Sequence, residues 1–299
     1  MQPSSYHFVL VDVFTDTMFG GNQLAVITDA RGLSSAQMQK IAREFNFSET
    51  TFVLPAPTAD ARHVIRIFTP RAELPFAGHP TLGTAAVLSY LQLSPAADAH
   101  GTVIYEEAIG PIAVRVQPAR GQTVFAEFEI VAALDMRPAP SLTDLACAIG
   151  VAPSAVRETW CAGIGLPFCF VHLTDERAVD VAVVDHKLWQ GIVARGCAPQ
   201  LFLFCGDFTD GGMLYARMLA PAIGIAEDPA TGSACVGLVA SLSERSPLRE
   251  AVLGLTIRQG IAMGRPSLLE AYAHRLEGRT HHLRLRGNSV IVAEGSIKI

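Results

Sequence analysis

Two glycine-containing segments, 73–88 and 227–241, carry the side chains best suited to chemistry in this sequence. Each begins with an acidic residue, passes through proline and threonine, and continues into small apolar residues. This order is typical of a helix N-terminus that leads into a buried helix. The glycines and polar residues at the two predicted helix starts are Gly78, His79, Asp228, Gly232 and Ser233.

The predicted helix starts are suited to binding an anion. The first N–H groups of a helix have no partner within it and carry the positive end of its dipole. An anionic group is favoured there by about 0.3–1 kcal/mol, and glycine lets a ligand approach the backbone closely. If the two starts face each other, they form a pocket with His79, Asp228 and Ser233 at its rim. We therefore expect a small anionic molecule to bind there.

Glu49 is a third candidate, and it lies where a predicted helix leads into a predicted strand. Ser34 and Gln37 fit a capping box, which predicts a helix over residues 34–45. The residues around Glu49 are aromatic and β-branched rather than charged. Partial burial disfavours the charged form of a carboxyl group, which lets it take up and return a proton near neutrality. The alternative is an exposed carboxylate in a turn.

Composition limits the classes of function. At 299 residues, two domains are the default expectation. Half of the residues are hydrophobic, 17% are charged, and the mean hydropathy is +0.32, which predicts a large core, an oligomer interface, or both. The formal net charge of −5 and the pI near 6.0 provide no electrostatic footprint for nucleic acid. No basic cluster indicates binding to a membrane surface.

The N-terminus lacks the basic region of a signal peptide, and no apolar run is long enough for a membrane span. We therefore expect a cytoplasmic protein. Its six cysteines lack Cys-x-x-Cys spacing, so we expect reduced thiols and no zinc site built from a cysteine cluster. No His-Glu-x-x-His sequence occurs, and the sequence predicts no metal ligands.

The two halves of the chain follow a similar plan. Each has strands, a turn, a helix that is apolar nearly all round, and further strands. The predicted helices, Pro80 to about Leu91 and about Gly232 to Leu242, recur at a period near 150 residues. This loose repeat predicts two α+β domains of similar build with an active-site cleft between them. We expect residues 1–118 and 286–299 to form the N-terminal domain and residues 119–285 to form the C-terminal domain.

Several motifs together resemble the PhzF-like phenazine-biosynthesis isomerase family. The longest are residues 41–54, which contain Ser48-Glu49-Thr50, and residues 65–84, which contain Gly78-His79-Pro80. Residues 22–26, 165–168, 217–234, 259–260 and 264–267 extend the resemblance over nearly the whole chain. It implies the diaminopimelate-epimerase-like fold. In that fold, two similar domains each have a curved mixed or antiparallel sheet, or an open barrel, around a central apolar helix.

The resemblance also implies an activity. Members of the family are cofactor-free isomerases that move a proton along a small carboxylate-bearing diene or enol. The best-known member converts trans-2,3-dihydro-3-hydroxyanthranilate into its keto isomer. By the family pattern, the proton shuttle falls on Glu49. His79, Asp228 and Ser233 match the positions that orient the substrate, with Gly78 and Gly232 in the same loops. We also expect the protein to be a homodimer.

Other functions are weighed against this one. A hydrolase triad of His79, Asp228 and Ser233 is excluded, because Asp228 and Ser233 lie at one helix start and no Gly-x-Ser-x-Gly elbow occurs. A racemase with one thiol from each domain is excluded, because residues 1–146 contain no cysteine. A non-catalytic metabolite-binding or protein-interaction module and a one-base epimerase of an amino-acid-derived compound remain alternatives.

Overall fold

The computed structural model describes residues 5–55, 62–94, 98, 101–131, 133–208 and 211–299. The chain divides into two compact units, one formed by Met1–Glu129 with Arg286–Ile299 and the other by Ile130–Leu285. The expected domain division had assigned residues 119–129 to the second domain. In the structure they belong to the first unit, because the strand from Thr123 to Ile130 pairs with the strand before it.

The first unit contains a sheet and two helices. Its elements are β1 (Ser5–Val13), β2 (Asn22–Ile27), α1 (Ser35–Phe45), β3 (Glu49–Leu54), β4 (Val64–Phe68), β5 (Glu73–Leu74), α2 (Gly78–Tyr90), β6 (Thr102–Glu107), β7 (Gly110–Val116) and β8 (Thr123–Ile130). The sheet runs β1-β2-β3-β4-β6-β7-β8, with parallel pairing in β2–β3 and β4–β6 and antiparallel pairing elsewhere. The final strand of the chain pairs with both β1 and β8, so the sheet closes on itself.

Helix α2 is the centre of the first unit. Every residue from Gly78 to Leu88 is buried, and the helix packs against β1, β2, β3 and β7. A helix that is apolar on all sides must be enclosed, and here the closed sheet encloses it. Gly83 allows the close approach, since a Cβ atom there would lie 2.6 Å from Val13 Cγ2 and 2.7 Å from Leu24 Cδ2. The prediction of an enclosed helix is confirmed.

The second unit repeats this arrangement. Its elements are β9 (Asp135–Arg137), α3 (Leu142–Ala148), β10 (Val156–Ile164), β11 (Leu166–Leu173), α4 (Glu176–Asp180), α5 (His186–Val193), β12 (Gln200–Gly206), β13 (Met213–Ala220), β14 (Ile225–Asp228), α6 (Gly232–Glu244), β15 (Ala251–Gln259), β16 (Ser267–Leu276) and β17 (Arg279–Lys298), the last continuing into the first unit. Its sheet runs β9-β10-β11-β12-β13-β15-β16, with parallel pairing in β11–β12 and β13–β15. Helix α6 packs against β10, β11, β15 and β16.

The repeat extends to individual ion pairs. On β4 and β5, Arg66 binds Glu73 through two hydrogen bonds of 2.7 Å. On β13 and β14, Arg217 binds Glu227 through two hydrogen bonds of 3.0 and 2.8 Å. In each unit, this bidentate pair connects the short strand before the central helix to the neighbouring strand. The two acidic residues that begin the glycine-containing segments therefore hold the approach to each helix.

Helix α1 confirms the predicted capping. Ser34 is the N-cap, and its side chain accepts a hydrogen bond from the Gln37 backbone N–H. The Gln37 side chain in turn accepts a hydrogen bond from the Ser34 backbone N–H. The helix ends at Asn46, which adopts a left-handed conformation with φ of 54°. Asparagine tolerates this conformation better than most residues, so the chain can turn sharply toward β3. No helix among the described residues is long and apolar enough to cross a membrane.

The enclosure of α2 predicts that Gly83→Ala destabilises the protein. The added methyl group would overlap the buried side chains of Val13 and Leu24, which would have to shift within a packed core. We expect the free energy of unfolding to fall by about 1–3 kcal/mol, measured by denaturant titration.

Gly191→Ala is the matched control. Gly191 lies in helix α5, and a Cβ atom there meets nothing within 4 Å. Alanine should raise the free energy of unfolding by about 0.5–1 kcal/mol, because glycine loses more backbone freedom on folding. Equal effects of the two substitutions would contradict the account of how α2 is packed.

Candidate active site

Glu49 and His79 meet in the first unit. The Glu49 Oε2 and His79 Nε2 atoms lie 3.3 Å apart, and the two side chains are 16% and 7% exposed. Glu49 is the first residue of β3, and His79 lies in the first turn of α2. The pair therefore joins the beginning of a strand to the beginning of the central helix.

A hydrogen bond between buried hydroxyl groups fixes the strand against the helix. The Oγ1 atoms of Thr51 and Thr84 are 2.8 Å apart, and both side chains are buried. Thr51 lies two residues after Glu49 on β3, and Thr84 lies on α2. Because successive strand residues alternate between faces, Thr51 and Glu49 point to the same side of β3. The same face that anchors the strand to α2 thus presents the carboxyl group to His79.

His79 is an uncharged imidazole. Burial lowers its pKa from 6.5 to about 3, because the charged form loses its hydration. Its Nε2 atom makes no hydrogen bond with the described residues, although it lies close to Glu49. A neutral imidazole can donate one hydrogen bond and accept another. His79 can therefore bind a polar group without adding a positive charge beside Glu49.

This arrangement suits proton transfer. A protonated His79 would form an ion pair with Glu49 and weaken its affinity for a proton. A neutral His79 does not have this effect on the Glu49 carboxyl group. The separation of 3.3 Å is close to the reach of general acid–base groups, which commonly tighten when substrate binds.

In the second unit, Asp228 ends β14 and precedes helix α6 by three residues. Its side chain accepts a short hydrogen bond from the Thr231 hydroxyl. The N-cap of α6 is Thr231 rather than Asp228, and the helix start has no side-chain cap. Asp228 is therefore not a capping residue. The backbone N–H groups of the first turn of α6 are left without an intrahelical partner.

Gln259 holds this turn in place, a role that sequence patterns did not reveal. Its amide nitrogen donates to the Asp228 carbonyl oxygen at 2.8 Å and to Thr231 Oγ1 at 3.0 Å. Its amide oxygen accepts from the Thr231 N–H at 3.2 Å. The side chain is completely buried, so its three hydrogen bonds form without competition from water. Gln259 thereby fixes the backbone on which Asp228 is mounted.

Gly232 and Ser233 open helix α6. Gly232 is buried, and Ser233 is partly exposed in the same turn. The Ser233 hydroxyl forms no hydrogen bond with the described residues. It lies beside backbone N–H groups that have no intrahelical partner and can add a further donor to an anion bound there. Gly78 has the equivalent place at the start of α2 and is buried.

Glu107, at the end of β6, is a buried acidic residue that the sequence analysis did not identify. Thr81 Oγ1 lies 2.7 Å from Glu107 Oε1 and 2.8 Å from the Ala77 carbonyl oxygen. A hydroxyl group has one hydrogen and cannot donate to both oxygens. The contacts are satisfied if protonated Glu107 donates to Thr81 while Thr81 donates to Ala77. Glu107 thus helps to hold the turn that carries His79.

The pKa of Glu107 agrees with a protonated carboxyl group. Burial raises it from 4.5 to about 8, because the charged form loses its hydration. The side chain is 4% exposed. No sequence signal marks this residue, because Glu107 follows Glu106 in what reads as an ordinary strand end. Only the pairing of β6 within the closed sheet brings it under α2.

A cavity of about 450 Å³ in the second unit lies away from these residues. It is lined by Ala240 and Glu244 near the C-terminal end of α6, together with Arg279 and Thr280. The candidate residues of this unit lie at the opposite end of the helix. Volume alone is thus a poor guide to the active site here, since the chemistry-bearing side chains cluster elsewhere.

Known proteins share this sequence and fold. A profile of the PhzC-PhzF family, described as phenazine biosynthesis-like protein, matches residues 11–295. The trans-2,3-dihydro-3-hydroxyanthranilate isomerase of Pseudomonas chlororaphis is 36% identical, over 98% of this chain and 99% of its own. A phenazine biosynthesis protein of the PhzF family from Bacillus anthracis has a similar structure. Its TM-score is 0.84 and its identity 22%, over 99% of this chain and 100% of that one.

A hydroxyproline epimerase from Agrobacterium vitis is a more distant structural match. Its TM-score is 0.66 and its identity 14%, over 100% of this chain and 94% of that one. At such identities the two structures establish the fold alone. They confirm the predicted α+β, diaminopimelate-epimerase-like fold class.

The buried acid predicts a pH dependence of stability that Glu107→Gln removes. Because the folded-state pKa of Glu107 is raised to about 8 from 4.5, the folded protein holds a proton that the unfolded chain releases between these values. The wild-type free energy of unfolding should therefore fall, relative to that of the glutamine variant, by roughly 1 kcal/mol per pH unit as pH rises through this window. Urea titrations at pH 5, 6, 7 and 8 measure the difference.

Glu106→Gln is the control, since its side chain is 40% exposed on the same strand. Its difference from the wild type should stay constant across the window. A Glu107→Gln difference that is equally constant would contradict a protonated Glu107.

Proposed function

Because the chain belongs to the phenazine biosynthesis-like protein family and is an isomerase, we propose that it moves a proton within a small carboxylate-bearing molecule. Glu49 acts as the general acid and base. The observation that carries this proposal is the partly buried Glu49 carboxyl group, 3.3 Å from an uncharged His79 at the start of an enclosed helix.

The reaction needs one group that both removes and returns a proton. Glu49 takes a proton from one carbon of the substrate, and the electron pair left behind is delocalised over a conjugated system. The resulting carboxylic acid then returns a proton to a different carbon. No electron is gained or lost, and the double bonds shift. General acid–base catalysis of this kind contributes about 10²–10⁴-fold to the rate.

His79 orients the substrate and stabilises the negative charge that develops in the transition state. Its imidazole stays neutral through the physiological range, since its pKa is about 3. A neutral N–H donor placed in a dry site is effective there, because hydrogen bonds are stronger at low dielectric. It also leaves Glu49 free to accept a proton, which a fixed cation would oppose.

The start of α6 carries groups suited to binding a substrate. Ser233 and the backbone N–H groups after Gly232 bind the carboxylate, as helix N-termini bind anions. Gly78 allows similar backbone approach at the start of α2. Asp228, held by Thr231 and by the Gln259 clamp on its backbone, orients a hydroxyl or cationic amino group of the substrate. Its rigid support keeps the carboxylate in place when the substrate binds.

The repeat supports chemistry with a single base. Glu49 begins β3, the strand reached by the parallel connection from β2. Gln200 begins β12, which is reached by the parallel connection from β11, and it is buried. The second unit thus has an amide, which neither accepts nor releases a proton, where the first has a carboxyl group. One base suits transfer between two carbons, and this chemistry needs no cofactor.

The substrate is proposed to be trans-2,3-dihydro-3-hydroxyanthranilate or a compound of the same class. The proposal draws on the relatives named for that activity. This compound has a carboxylate, an amino group and a hydroxyl group next to a diene, which match the anion site, Asp228 and His79. The chain is expected to act as a homodimer. Incubation with this compound, followed by ultraviolet spectroscopy of the shifted diene, tests the assignment.

Glu49→Gln should lower kcat by at least about 10²-fold, because the amide cannot accept a proton. The substitution preserves size and shape, so KM and the unfolding midpoint should change little. Steady-state kinetics and a thermal melt measure these effects.

Glu44→Gln provides the matched control, since Glu44 is an exposed residue of α1 five positions earlier. It should retain wild-type kcat. If Glu49→Gln turned over substrate as fast as Glu44→Gln, Glu49 would not be the shuttle.

A further inference from the structure

Three cysteines meet in the core of the second unit, although they are far apart in sequence. Cys161 lies on β10, Cys169 on β11, and Cys197 in the segment between α5 and β12. Their sulfur atoms all lie within 4.8 Å of one another. The Sγ atoms of Cys161 and Cys197 are 3.3 Å apart, and all three residues are buried free thiols. We refer to these residues as the thiol cluster.

The sheet determines this arrangement. Cys161 and Cys169 are directly opposite in the antiparallel β10–β11 pair. Arg137 on β9 is directly opposite Cys161 on its other side. Directly opposed residues place their side chains on the same face, so one guanidinium group and two thiols follow one another across three strands. Cys197 then covers the thiols from the chain that follows α5.

The cluster has the chemical character of a metal-binding thiol group. The three sulfur atoms lie close enough together for one ion to contact all of them. Arg137 lies opposite Cys161 on the neighbouring strand and brings a positive charge to this face of the sheet. The thiolate is the form of cysteine that binds metals. Cys197 is 8% exposed, so this residue of the cluster lies at the edge of the core.

We propose that the thiol cluster binds one soft, thiophilic monovalent ion of the Cu(I) class. Metal–sulfur bonds of about 2.3 Å place three sulfur atoms about 4 Å apart in a trigonal site. The observed separations, none above 4.8 Å, need only small side-chain rotations to reach this geometry. Among the described residues, no imidazole or carboxylate oxygen joins the three sulfurs. Three thiolates without an oxygen or nitrogen ligand select soft ions over Mg²⁺ or Ca²⁺ and lack the fourth ligand of a structural Zn²⁺ site.

Binding exchanges protons for the ion and involves no redox step. Cu(I) enters as a monovalent cation, sulfur–metal bonds form, and the thiol protons leave to solvent. The resulting anionic cluster needs a nearby cation, which Arg137 supplies while its own partner Asp135 stays at the surface. The proposed ion is not the zinc that the cysteine spacing disfavours, and the site is independent of the proposed isomerase activity.

A Cu(I) titration tests the site in a Cys147→Ser background, which removes the exposed thiol. The protein is kept anaerobic and reduced, and a chromophoric Cu(I) chelator competes for the ion. We expect one ion per chain, an ultraviolet thiolate-to-metal absorption band, and a raised melting temperature. Cys161→Ser and Cys197→Ser should each weaken binding at least 100-fold. Arg137→Met should weaken it about 10-fold, as loss of a supporting group around a metal site does.

Cys205→Ser is the matched control, because Cys205 is buried in the same hydrophobic core but lies outside the thiol cluster. It should retain the affinity. The proposal is overturned if no ion binds, or if Cys161→Ser and Cys197→Ser bind Cu(I) as tightly as Cys205→Ser. It is also overturned if the protein prefers Zn²⁺ to Cu(I) more strongly than a peptide with three thiols does. Should Cys161→Ser fail to fold, Cys197→Ser and Arg137→Met still decide the outcome, since both residues lie at the edge of the core.

Discussion

The enclosure of a helix that is apolar on every side is the constraint on which the first unit depends. Helix α2 has no polar face to turn toward water, so burial requires strands on all sides of it. The closed sheet meets this requirement, and Gly83 lets β1 and β2 approach the helix axis. The only part of such a helix that can meet a ligand is its end. The position of His79 therefore follows from the packing of the whole unit.

The start of helix α2 is buried, yet it presents polar groups. Its backbone N–H groups lack a side-chain cap, and the carboxyl group of Glu49 lies beside it. Burying a carboxylate is costly, and the His79 imidazole beside Glu49 remains neutral. Glu107, which contacts Thr81 in the same turn, is buried as well. Such locally unfavourable arrangements are expected at functional sites, where stability is given up for reactivity.

The two halves of the chain share one arrangement of strands and helices but differ in the polar residues that it positions. In each, a bidentate arginine–glutamate pair leads into the central helix, and a parallel connection leads to a strand that begins with a polar residue. The first unit places Glu49 at that strand start, whereas the second places Gln200 there. The second helix start is instead held by Gln259 against Asp228 and Thr231. One architecture thus presents different polar residues at equivalent positions of the two units.

Local patterns in the sequence were sufficient for some of these features. The capping box of Ser34 and Gln37 and the apolar helices α2 and α6 depend on residues a few positions apart, so periodicity identified them. The family motifs marked Glu49 and His79, and the structure brings these two together. Glu107, Gln259 and the thiol cluster were missed, because strand pairing over tens of residues creates them. The first unit likewise extends to Glu129 because β8 pairs with β7, which no composition change signals.

The most direct test of the central claim is solvent isotope incorporation during turnover. The proposed substrate is converted in D₂O, and the product is analysed by mass spectrometry and proton NMR. The account predicts deuterium at the carbon that receives the proton, because a proton held by the Glu49 carboxyl group, which is 16% exposed, can exchange before it is returned. A Glu49→Gln variant that formed the product at the wild-type rate and with the same deuterium content would contradict a shuttle through Glu49.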